Sequence, residues 1–80
     1  MADLFEEMKR NPQADWTIKD VERVCRENGL NCRPPSGGGS HYKVSHSRFA
    51  YIQTIPFKRP IKPVYIRRLV SFIEGVRKLT

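Results

Sequence analysis

Ser36-Gly37-Gly38-Gly39-Ser40-His41-Tyr42-Lys43-Val44-Ser45 joins a glycine turn to the start of a short strand. Three consecutive glycines tolerate positive φ and carry no side chains, so the backbone turns tightly there and leaves room for another molecule to approach. Beyond the turn, His41, Lys43 and Ser45 alternate with Tyr42 and Val44. That period of two sends the polar set to one face of a half-buried strand and the apolar set to the other. An imidazole and an ammonium are thereby expected to share an exposed face.

Working outward, Leu30-Asn31-Cys32-Arg33 reads as a short edge strand, cut off by Pro34-Pro35 and the glycines. The second strand is expected over 40–46 and a third over 49–55, rich in aromatic and β-branched residues and paired with the second around Ser47-Arg48. Ile52 and Ile55 fall on opposite faces of a regular strand, so alternation does not decide which face is buried. A bulge would reconcile them.

Helices flank this sheet. Residues 3–10 place Leu4, Phe5 and Met8 on one side and stop at Asn11-Pro12, because the residue before a proline is pushed out of the helical region. Thr17 can cap a second helix, with Asp20 completing a Thr-x-x-Asp box and Ile18, Val21, Val24 and Cys25 forming the apolar stripe. Gly29 ends it, and Trp16 either staples against Val21 or fills the core. After the basic connector Phe57–Lys62, Pro63 suits the first turn of a last helix. There Ile66, Leu69, Val70, Ile73 and Val76 recur at helical spacing, leaving Arg67, Arg68, Ser71, Glu74 and Lys78 for water. The order predicts an α+β domain: a three-stranded antiparallel sheet with two helices packed on one face, plus a short N-terminal helix. One domain over 1–80 is expected, with 1–15 as an accessory segment and 16–76 as the core.

Eighty residues support only a modest core, so function is expected on a surface rather than in a large metabolite cleft. The formal charge of +7 is unevenly spread. Residues 1–40 carry six basic and seven acidic side chains, whereas residues 41–80 carry nine basic and only Glu74 acidic. Such one-sided basicity is the footprint of a polyanion binder: nucleic acid, an anionic membrane or an acidic protein. No apolar run approaches the roughly 20 residues of a membrane span, and Met1–Glu7 lacks a signal-peptide pattern. A cytoplasmic protein without membrane association is therefore expected. Cys25 and Cys32 are read as buried thiols, their six-residue separation being too wide for the usual zinc pair.

The order of elements, together with Gly39-Ser40-His41-Tyr42-Lys43-Val44, Thr54-Ile55-Pro56 and Ile61-Lys62-Pro63-Val64-Tyr65-Ile66-Arg67-Arg68-Leu69, resembles the HicA family of toxin mRNA interferases. The match covers roughly 17–75. It implies a fold like the double-stranded RNA-binding domain, metal-independent cleavage of mRNA, and neutralisation by a HicB-type antitoxin protein. The family's Gly-Ser-His motif falls on Gly39-Ser40-His41, which implies that His41 is the essential histidine. Many members lack the segment before Trp16 and are more polar across 57–62.

The residues themselves permit this chemistry. Two-metal nucleases gather several carboxylates around hydrated cations, yet the half holding the glycine turn has only Glu74, so neither metal nor cofactor is expected. The remaining route for single-stranded RNA is attack by its own 2′-hydroxyl on the adjacent phosphorus. A base must take that proton, and positive charge must meet the phosphorane oxygens. Histidine suits the first role at neutral pH, which makes His41 the catalytic candidate as general base or acid. Lys43, helped by Lys58 or Arg59, suits the second, and Gly39 and Ser40 border the substrate. His46 is a second candidate for proton transfer, but five positions along a regular strand it points to the opposite face. Two non-catalytic readings stand beside the enzyme: an RNA-binding module of the dsRNA type and a basic protein-interaction domain. A phosphate loop does not fit, because the glycines lack the Gly-Lys-Ser/Thr ending and precede a strand.

Overall fold

The computed structural model describes residues 3–79; Met1, Ala2 and Thr80, at the ends of the expected domain, lie outside the described residues. In chain order the elements are α1 (Leu4–Arg10), α2 (Ile18–Glu27), β1 (Asn31–Arg33), β2 (His41–Ser45), β3 (Gln53–Pro56) and α3 (Pro63–Arg77). The strands form one antiparallel sheet in the order β1-β2-β3, so the chain is a small α+β domain with β1 at an edge.

Each helix begins where local chemistry dictates. Asp3 caps α1 by accepting from the Glu6 N–H at 2.8 Å, with Glu6 and Glu7 at the positive end of the helix dipole and Lys9 and Arg10 at the negative end. At α2 both halves of the capping box are formed, the Thr17 N–H donating to Asp20 Oδ2 at 2.9 Å and the Asp20 N–H donating to Thr17 Oγ1 at 3.4 Å. Gly29, at φ 78°, reverses the chain after α2 and lets the Leu30 N–H return to the Cys25 carbonyl at 2.9 Å. Pro63 opens α3, whose stripe Ile66, Leu69, Val70, Ile73 and Val76 is buried along with Phe72.

The stripes meet one face of the sheet, where Val44 and Ile55 are wholly buried. α2 packs over β1 and α3 over β3, while α1 packs against both helices. The N-terminal helix is therefore no accessory: Phe5 and Met8 belong to the same buried cluster as Leu69 and Ile73. Lys9 pairs with Glu74 at 2.8 Å, and the Arg77 guanidinium lies 4.0 Å from the centre of the Phe5 ring. Trp16 fills the core, its Nε1–H donating to the Asn11 carbonyl at 2.8 Å and its own carbonyl accepting from the Ile61 N–H at 2.8 Å. That second bond ties the α1–α2 linker to the connector before α3.

The third strand departs from expectation. It starts at Gln53 rather than Phe49, because the rings of Phe49 and Tyr51 turn onto Phe72 of α3 instead of joining the ladder, at centroid distances of 5.6 and 5.0 Å. Ile52 thus sits outside the strand and is exposed, whereas Ile55 faces the helices, and no bulge is needed to reconcile them. Buried Gln53 joins β3 to α3, its Nε2–H donating to the Tyr65 carbonyl at 3.0 Å. Both cysteines are free thiols, Cys25 buried and Cys32 partly so. The hydrogen bond between them holds the Cys32 thiol below its ordinary value; the same bond, with burial, pushes Cys25 up. Among the described residues no helix is long and apolar enough to cross a membrane.

Candidate nucleic-acid interface

Among the described residues no helix packs on the opposite face of the sheet, and β2 sets the composition of that face. Val44 points into the core, so His41 and Lys43 point away from it, and both are exposed. The register then decides their neighbours. Lys43 lies opposite Arg33 on one side and Thr54 on the other, forming a row across all three strands. Two residues along, His41 lies opposite Pro56, and in the other direction Ser45 lies opposite Asn31. Side chains directly opposite in an antiparallel pair have Cβ atoms about 4.5–5.5 Å apart, so Arg33 and Lys43 combine their charge on one patch.

This patch has no acidic counterweight of its own. From Leu30 to Ile73 the chain contains no Asp or Glu, and among the described residues neither Arg33 nor Lys43 belongs to an ion pair. Sequence reasoning placed Lys43 here and missed Arg33. The signal for Arg33 was present in the alternation of Asn31 and Arg33 around inward-facing Cys32, but the pairing of Arg33 with Lys43 is a property of the register.

The glycine turn delivers His41 to the end of this face. Gly37 and Gly38 adopt φ of 64° and 85°, where a residue with a Cβ is strained. Gly39 has ordinary φ but little space, since a Cβ there would stand 3.2 Å from the Pro35 Cβ. Ser40 Oγ and His41 Nδ1 are 3.0 Å apart. With the ring proton on Nδ1 and donated to Ser40, the lone pair of Nε2 is left as the basic position. The Ser40 carbonyl accepts from the Phe57 N–H at 3.3 Å, which holds the turn against the exit of β3 and brings the 57–62 connector to the same end of the sheet.

The two connector cations behave differently. Lys58 has no ion-pair partner among the described residues. Arg59 is engaged: its Nε donates to Asp15 Oδ1 at 3.1 Å and its Nη2 donates to Asp15 Oδ2 at 2.6 Å. The Arg59 hydrogen bond holds the Asp15 carboxyl below its ordinary value. The guanidinium expected to meet substrate is thus already occupied by a carboxylate from the α1–α2 linker.

His46 stands apart from His41, in the turn after β2, about 16 Å away at roughly 3.3 Å per residue along an extended strand. Its Nδ1 accepts from the Arg48 N–H at 3.0 Å and its ring meets the Phe49 ring at 5.7 Å, so it serves the turn rather than the patch. Among the described residues no three His, Cys, Asp or Glu side chains come together as a metal cluster. Compared with known proteins, the chain matches no family model, no curated protein and no solved structure.

Proposed function

We propose that the open face of the sheet is the RNA-cleaving surface of a HicA-type mRNA interferase, with His41 as its catalytic base. The observation that carries this reading is the placement of His41 on the same exposed face as Lys43 and Arg33, beside a glycine turn and on strands that contain no Asp or Glu. The order α2-β1-β2-β3-α3, with both helices on one side, supports kinship with the double-stranded RNA-binding fold.

In the cleavage step the 2′-oxygen of the RNA attacks the adjacent phosphorus while His41 Nε2 takes its proton. The O2′–P bond forms and the P–O5′ bond breaks, leaving a 2′,3′-cyclic phosphate and a 5′-hydroxyl whose proton comes from water. Lys43 and Arg33 meet the charge that gathers on the phosphorane oxygens. The basic face also suits an acidic antitoxin of the HicB type, whose docking there would cover His41. The test is incubation of single-stranded RNA with the protein in excess EDTA, beside folded His41→Ala. Cleavage by the first and none by the second is expected, with none on a 2′-deoxy substrate. Binding without cleavage by the unaltered chain would make it an RNA-binding module, and full cleavage by His41→Ala would remove His41 from the chemistry.

A further inference from the structure

Beside the histidine, between the exit of β3 and the start of α3, lies a groove of about 350 Å³ lined by Pro56, Lys58, Arg59, Pro60, Lys62 and Tyr65. We propose that this groove is a nucleotide subsite that seats one residue of single-stranded RNA next to the scissile phosphate, its phosphate on Lys58 and Lys62 and its base against Tyr65.

The position follows from the ladder. Pro56 is the residue directly opposite His41, so the wall of the groove is also the neighbour of the imidazole. A strand crossing the open face past Lys43 and His41 reaches the groove next. The volume falls at the lower end of small-molecule sites, about 300–1,000 Å³, which suits a single unit of a chain rather than a folded duplex.

The lining suits a nucleotide in both of its parts. Lys58 and Lys62 are exposed and, among the described residues, without ion-pair partners, so two ammonium groups are available to a phosphate. α3 starts at the same place with no acidic residue in its first turn and no side-chain cap, so its positive end adds to theirs. Tyr65 supplies an aromatic surface, and base–aromatic stacking is the sequence-tolerant contact that single-strand binders use. The walls are held in place before any ligand arrives. The Tyr65 carbonyl is anchored by Gln53, and Arg59 is clasped by Asp15. Arg59 therefore acts as a fixed wall, and Lys62 takes the ligand role that sequence reasoning gave to Arg59.

This subsite rests on the ribonuclease reading for its place beside the scissile bond, and the experiment separates the two. Binding of a fluorescent single-stranded RNA is measured as a function of salt in the 80-residue chain carrying His41→Ala, with EDTA present. Adding Lys58→Gln and Lys62→Gln together should lower the slope of log affinity against log salt by about 0.7, the share of the one phosphate that both hold. Tyr65→Leu should weaken binding about tenfold or more, and Tyr65→Phe should restore it, because the ring rather than the hydroxyl stacks. Lys19→Gln with Arg26→Gln, an equal loss of charge on exposed α2, should leave the slope unchanged. The proposal is overturned if the Lys58/Lys62 variant keeps its slope, if the α2 control loses as much, or if folded Tyr65→Phe binds no better than Tyr65→Leu. If the unaltered protein cuts no RNA while these binding losses appear, the subsite stands and the cleavage reading fails. If it cuts RNA while the groove variants leave KM unchanged, cleavage stands and the subsite fails.

Discussion

Lys43 stands directly opposite Arg33 across the β1–β2 ladder, on a sheet face that no helix covers among the described residues. Like charges in directly opposed positions cost stability, and among the described residues no carboxylate forms an ion pair with either of them. The arrangement works against folding and in favour of a polyanion ligand. Replacing either residue with Gln should therefore leave the melting temperature unchanged or slightly raised. The slope of log RNA affinity against log salt should meanwhile fall by about 0.7 for each residue. Unaltered slopes would mean that RNA passes elsewhere.

The Asp15–Arg59 clasp predicts a pH dependence whose sign is fixed. The Asp15 carboxyl is held below its ordinary value of 3.8 in the folded protein, chiefly by the Arg59 hydrogen bond. An unfolded chain takes up that proton first as pH falls, so the stabilisation is present above 3.8 and is lost on going down through the lower folded value. Melting curves of the unaltered protein and Asp15→Asn should differ near neutral pH, begin to approach one another near pH 3.8 and converge only below the lower folded value. Both side chains are exposed, so the difference should be small and should shrink with added salt. A gap that persists at low pH would assign the effect of Asp15 to something other than its charge.

Leu69 and Met8 are both wholly buried, one on α3 and the other on α1. Truncation of either to Ala should cost about 2–5 kcal/mol, the range for large-to-small core changes. That is a large share of the roughly 5–15 kcal/mol that small domains possess. Denaturant unfolding measures both. Leu69→Ala checks the buried face of α3, and Met8→Ala checks that α1 is part of the core. A Met8→Ala protein as stable as the parent would return the N-terminal helix to an accessory role.

Several elements were legible in the chain itself because their causes are local. The capping box from Thr17 to Asp20, the stop at Gly29, the buried stripe of α3 and the inward–outward alternation from His41 to Ser45 depend on residues at most five apart, or on a single stripe along one helix. The same alternation placed His41 and Lys43 together on one face. Hydrogen-bond geometry and side-chain period determine these features wherever the segment is found.

Local chemistry thus specifies the kind and order of the elements and which side of β2 carries the imidazole. Where β3 begins is set by long-range packing, because Phe49 and Tyr51 could complete a strand or pack on Phe72, and the proximity of α3 settles that choice. The same packing also decides that Arg33 joins Lys43 through register, and that Arg59 is taken by Asp15, a residue 44 positions away. α1 became core in the same way, since Phe5 and Met8 are buried only when α2 and α3 close over them. The physical reason is common to all four: each depends on which distant surfaces meet, and neither periodicity nor propensity along one segment carries that information.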